Sequence, residues 1–191
     1  LANTDPQVLK SRLKSHGLLI WQYANGIEAS PVMSNYNLIM KSIGNSTTTK
    51  YDIEIGNEQT AYKILLSLTE SVAQRLRKVR SCCSVISVEI RNSDLFFYSH
   101  QRKIYPPTNV TNDIYEVVKE LFDEGWKKDK IRHLGVRVSD LCSDEFIQAT
   151  MFDDINIDKK KALDRAIDSI RQRYGDHSIF RGVFLDREIS P

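Results

Sequence analysis

Between Leu38 and Leu141 the spacing of apolar residues switches repeatedly between two periods, and the order of the switches limits the fold more than any other feature. Glu58 to Arg80 sets Ala61, Ile64, Leu65, Leu68, Val72, Leu76 and Val79 at helical spacing. Val85 to Arg91 alternates instead: Ile86, Val88 and Ile90 share one parity, Ser87, Glu89 and Arg91 the other, which predicts a half-buried strand. After the turn residues Asn92-Ser93-Asp94, Leu95 to Tyr98 opens another strand, expected to run irregularly to Tyr105 and stop at Pro106-Pro107. Thr111 or Asn112 caps a helix with Ile114, Val117, Val118, Leu121 and Phe122 on its inner face, and Gly125 ends it. Ile131 to Leu141 is again a strand, with Leu134, Val136 and Val138 opposite His133, Gly135, Arg137 and Ser139. Leu38 to Ile43 is a short strand candidate ending at Gly44-Asn45. The order β-α-β-β-α-β predicts an α+β fold: a four-stranded antiparallel split sheet carrying two helices on one face. The other face is left for solvent or a partner.

The flanks read differently. Thr4 to Gly26 is a helical pair or one bent helix, with Pro6 near its first turn and an apolar face interrupted at Gly17. Ser30-Pro31, Ser34, Asn35 and Asn37 are turn chemistry. Downstream, a loop from Cys142 to Ile157 leads to a helix from Asp158 with an apolar stripe of Leu163, Ala166, Ile167, Ile170 and Tyr174, and with Gly175 at its end. The divisions expected are 1–32, a linker at 33–37, a sheet domain at 38–141 and a tail at 142–191. The 191 residues begin at Leu1 and read as a piece of a longer polypeptide. The longest apolar runs fall far short of the ~20 residues needed to span a bilayer, so no membrane is expected. Three cysteines, Cys82, Cys83 and Cys142, fit a reducing cytoplasm better than a disulfide scaffold.

No catalytic set can be assembled. The histidines at 16, 100, 133 and 177 are scattered, no Cys-x-x-Cys spacing exists, and there is no Gly-rich phosphate loop. Catalytic and metal-ligating residues are therefore predicted to be absent. A net charge of +2 is too small to identify a polyanion partner, so any basic face must come from clustering. Arg91, His133 and Arg137 fall on the outward parity of their strands, and Arg132 flanks them. Gly135, in mid-strand, suggests close approach of a partner's backbone. Lys41-Ser42-Ile43-Gly44 offers one ammonium, a small hydroxyl and backbone N–H groups, which suit phosphate oxygens. The central strands present Ser, Glu, Arg and His outward, which argues for backbone contact over base stacking.

Lys130 to Leu141 (KIRHLGVRVSDL) resembles the last little-finger strand of Y-family translesion DNA polymerases. Lys41 to Gly44 resembles that family's first little-finger strand, and Arg91 to Leu95 the turn after its second. Leu1 to Val32 is similar to the end of the family's thumb, with Glu28 in place of the usual Asp, and Lys159 to Gly182 resembles the tail of the UmuC-type branch. The palm motifs D-x-D-(A/S/C)-F and S-x-D-E, whose carboxylates hold two metal ions, do not occur.

The resemblance implies a DNA-binding fragment without its catalytic centre. The parent enzyme would use Mg2+, and this fragment no cofactor. By position, duplex grips fall on Lys41, Ser42, Gly44, Arg91, Arg132, His133 and Arg137, and template–primer DNA is the implied partner. Gln148-Ala149-Thr150-Met151-Phe152 resembles the bacterial sliding-clamp pentapeptide Q-x-x-(L/M)-F, which implies clamp binding through Gln148, Met151 and Phe152. The expected role is SOS-type lesion bypass in the bacterial cytoplasm. A non-enzymatic α+β protein-interaction module is the alternative.

Overall fold

Four antiparallel strands, β1 (Ser42–Ile53), β2 (Ser81–Asn92), β3 (Phe97–Thr108) and β4 (Ile131–Ser143), form one sheet in the order β1-β4-β2-β3. The computed structural model describes residues 1–28, 30–31, 40–145 and 157–185. The chain divides into two compact units, Leu1–Ile39 and Met40–Pro191. The strand order follows from the sequence order. The crossover through α2 (Glu58–Lys78) leaves a gap between β1 and β2, and β4 fills it after α3 (Thr111–Gly125).

Both helices lie on the same face, α2 against β1 and β4, α3 against β2 and β3. Their apolar stripes, Ala61, Leu65, Leu68, Val72 and Leu76 on one and Ile114, Val118, Leu121 and Phe122 on the other, meet Ile43, Ile86, Val88, Ile90, Leu134, Val136 and Val138 in a single core. Phe122 stacks on Trp126 at 5.3 Å between ring centres and closes the core beyond α3. Removal of these side chains from water supplies the cohesion, at about 1.5–3 kcal/mol for each large one. The α+β split sheet expected from the periodicity is the fold observed.

Several boundaries differ, each for a physical reason. β1 runs well past Gly44-Asn45 to Ile53, because β4 supplies partners as far as Ile131. β3 does not stop at Pro106-Pro107 but reaches Thr108. It is an edge strand, and its register with β2 jumps from Val85↔Lys103 to Cys83↔Thr108, so the prolines sit where no ladder bond is made. Cys82 and Cys83 lie inside β2 and are buried. Burial pushes the Cys83 thiol up to about 12, which keeps it protonated and unreactive.

The last helix, α4 (Ile157–Tyr174), departs most from expectation. Its buried residues are Asp164 and Arg171, whereas Leu163, Ile170 and Tyr174 of the apolar stripe are exposed. The docked side is ionic. Arg77 of α2 binds Asp164 at 3.1 Å and Asp168 at 2.6 Å. Glu70 receives Arg171 at 2.9 Å and Arg181 at 2.6 Å. Asp164 also accepts the Thr111 amide at 2.8 Å, so it caps the N-terminus of α3 from another element. Buried partners won this face because α2 presents Glu70 and Arg77, which must be paired once water is excluded.

In the other unit, Asp5 caps α1 (Pro6–Ala24) by accepting from the Gln7 amide at 2.8 Å. The helix breaks at Lys14, whose φ and ψ are 54° and −138°. Gly17 is buried against the first half: a Cβ there would fall 2.2 Å from the Leu9 carbonyl oxygen. The interruption read at Gly17 is thus a close approach of two helical segments. Among the described residues, no helix is long and apolar enough to cross a membrane.

Candidate nucleic-acid interface

The face of the sheet opposite α2 and α3 is built of four cross-strand rows. From β1 to β3, Ser42 pairs Ser139, then Val85 and Lys103. Gly44 pairs Arg137, then Ser87 and Gln101. Ser46 pairs Gly135, then Glu89 and Ser99. Thr48 pairs His133, then Arg91 and Phe97. Strand alternation puts all sixteen positions on one surface because the residues between them turn to the side that α2 and α3 cover. Ser42, Gly44, Ser46, Thr48, Arg91 and Arg137 are exposed. The structure therefore brings Ser42, Gly44, Arg91, His133 and Arg137 together. Lys41 lies exposed just before β1, outside the ladder.

Arg132 does not join a row. Arg91 pairs with His133 but Asn92 pairs with Ile131, so Arg132 is the extra residue of a β-bulge. The bulge inverts parity and allows both Ile131 and Leu134 to be fully buried. Arg132 is turned toward β1 instead, with Nη1 3.4 Å from an Asp52 oxygen, and its carbonyl accepts from the Thr49 hydroxyl at 3.0 Å. A simple alternation read from the sequence has no place for this extra residue.

Gly135 has an internal explanation as well. A Cβ there would come within 3.1 Å of the Ser46 Cβ and 3.3 Å of Glu89 Oε2. The space above the glycine is taken by the domain's own Ser46 and Glu89, which corrects the expected partner approach at this residue. Glu89 then reaches Arg137, with Oε1 3.2 Å from Nε. A carboxylate thus sits at the centre of the cationic face and holds one of its arginines.

Gly44 is different. Its carbonyl accepts from Arg75 of α2 at 2.9 Å, at the free edge of β1. In an antiparallel strand the N–H of a residue points the same way as its C=O, so the Gly44 N–H also faces that edge. A Cβ at position 44 would make only ordinary contacts, the nearest at 3.4 Å to the Val136 carbonyl. The fold does not demand a glycine here. Arg75 carried no sequence signal of this role, since it reads as one more cation on a helix.

His133 is half-buried, and its Nδ1 lies 3.0 Å from the Thr48 hydroxyl. Burial, then the nearby Arg91 guanidinium, holds its pKa below the ordinary histidine value. It is a neutral polar group at pH 7, with its charge available on acidification. Among the described residues, no three His, Cys, Asp or Glu side chains are grouped to hold a metal ion. Gln148, Met151 and Phe152 lie outside the described residues.

Residues 40–151 match the C-terminal domain of the impB/mucB/samB family. The chain belongs to this family. Over 188 residues it is 42% identical to DNA polymerase IV of Clostridium acetobutylicum, covering 98% of this chain and 47% of that protein. It is 35% identical to DNA polymerase IV 2 of Bacillus subtilis, covering 97% of this chain and 45% of that one. The chain spans about half the length of the curated relatives it matches. A solved Y-family DNA polymerase chimera aligns with 73% of this chain and 39% of its own, at 21% identity and a TM-score of 0.48. The Y-family resemblance read from KIRHLGVRV is borne out. The four rows are thus the open face of an impB/mucB/samB-family C-terminal domain.

Proposed function

We propose that this chain is the DNA-binding C-terminal part of a Y-family DNA polymerase that grips template–primer duplex through its phosphates and docks on the sliding clamp. In this reading residues 1–32 are the end of the thumb, 33–37 a linker, 38–141 the little finger, and 142–191 a tail. The parent acts in lesion bypass, with Mg2+ held by palm carboxylates that lie elsewhere in it. This part transfers no nucleotide, since neither palm motif is in its sequence.

One observation carries the reading: the uncovered face tiles cations with small hydroxyl and glycine residues, in register, along four strands. Hydroxyls, free N–H groups and guanidinium groups all bond phosphate oxygens, and such contacts carry no sequence information. The Gly44 edge supports it, because a glycine that the fold does not need leaves room for a phosphate beside an unshielded N–H. An enzyme copying damaged templates needs such sequence-blind grip, since damaged bases no longer offer dependable edges.

The test is duplex titration by fluorescence anisotropy across salt. Four neutralised phosphates give a slope of about −3.6 in log K against log salt. Arg91→Ala with Arg137→Ala weakens all sequences alike and flattens the slope by roughly 1.8. A salt-independent affinity, or loss confined to one sequence, overturns the duplex-grip reading. Clamp docking is tested separately. Gln148→Ala with Phe152→Ala should abolish capture by the clamp and leave the duplex titration unchanged; retained capture assigns docking elsewhere.

A further inference from the structure

The fourth row ends in an element that phosphate grip leaves unused. Beyond Arg91, the hairpin joining β2 to β3 carries Leu95, Phe96 and Phe97 in succession, exposed by 70%, 69% and 55%. Three consecutive exposed apolar residues at a strand tip are costly in water and invite a partner. The tip is nonetheless firmly built. Asn92 and Phe96 close the turn, through Asn92 N–H to the Phe96 carbonyl at 3.1 Å and Phe96 N–H to Asn92 Oδ1 at 2.9 Å. Asp129 then ties it to the loop after α3, accepting from Asn92 Nδ2 at 2.8 Å and from the Tyr98 hydroxyl at 2.6 Å. Ser93 N–H donates to the Lys130 carbonyl at 2.9 Å.

The tip also has positive charge beside it. Arg91 is exposed and pairs directly with Phe97 across the ladder, so its charge is available to an anion on the same face. A rigid pair of phenylalanines beside an exposed arginine on a phosphate-binding face matches one ligand chemistry: an unpaired nucleobase on its own phosphate backbone. A duplex keeps its bases stacked internally and offers the rings nothing.

We infer that the Leu95–Phe97 tip is a stacking site for unpaired bases, so that this domain favours a duplex with a single-stranded extension over a blunt one. The inference rests on the duplex-grip reading and extends it to the junction. Arg91 holds the backbone while Phe96 or Phe97 covers the first base freed from the stack.

The experiment uses the whole chain and three anisotropy probes with the same duplex: blunt, extended by a short oligothymidine 5′ overhang, and extended by an abasic strand of equal length. The expected result is a gain of about tenfold for the thymidine overhang over blunt, and a clearly smaller gain for the abasic strand. Phe96→Ala with Phe97→Ala removes the thymidine advantage while blunt-duplex affinity and the melting curve stay as in the parent chain. Phe96→Leu with Phe97→Leu keeps apolar area without rings and also loses it. Equal affinity for blunt and thymidine-extended probes overturns this inference alone, and an equal gain from the abasic strand reduces it to phosphate contact. A change in sedimentation of the alanine variant with the overhang gain intact assigns the tip to self-association and overturns it too. No binding to any probe overturns the duplex-grip reading itself.

Discussion

His133 shows how one side chain combines packing and charge. Its pKa is depressed, so the folded chain binds fewer protons than the unfolded one just below pH 6.5. Stability should therefore fall as pH drops from about 6.5 through the folded pKa, while duplex affinity rises over the same window as the ring becomes a cation. Melting curves and duplex titrations between pH 7.5 and 5 check both signs, and His133→Gln should lessen both trends. His133→Arg adds a permanent cation, so its salt slope should steepen by about 0.9 at pH 7.5. The identity and parity of His133 were legible in the sequence. Its hydrogen bond to Thr48 was not, because the two residues are 85 positions apart. Arg132, its neighbour, was read as flanking the outward residues, but its turn toward Asp52 had no signal, since a bulge leaves no mark in the periodicity.

At the scale of the element, β2 and β4 match the alternation that predicted them, because both lie in the middle of the sheet with one face buried. The edge strands β1 and β3 were misjudged in length, because an edge tolerates prolines and irregular register that a central strand does not. The third row carries a consequence of pairing β2 with β4. Glu89 fills the hollow over Gly135 and neutralises Arg137. Glu89→Gln preserves the volume and removes the charge. It should tighten duplex binding by roughly fivefold on every sequence, equivalent to about 1 kcal/mol of screened repulsion. Unchanged affinity by anisotropy, with an unchanged melting curve, would show that the carboxylate swings clear when DNA binds.

For the whole molecule, the sheet domain and α4 are held by different forces. Apolar burial fixes α2 and α3 on the sheet, whereas α4 is held through the charges of Glu70, Arg77, Asp164, Asp168 and Arg171. Removing one member of a buried pair strands the other, at a cost of about 3 kcal/mol. Glu70→Ala should accordingly strip hydrogen-exchange protection from α4 and leave the β2 and β4 amides protected. Equal loss in both would mean that α4 and the sheet unfold as one. The element order, the inner faces of α2 and α3 and the outward cations of the central strands were all set by residue spacing, because period and parity are local properties of the chain, and the motif from Lys130 to Leu141 carried the family resemblance. Tertiary structure alone decided the placement of Glu89 over Gly135, the turn of Arg132 toward Asp52 and the exposed stripe of α4. Each depends on which distant segment lies alongside, and a buried charge or an empty hollow takes whatever partner the packing brings within reach.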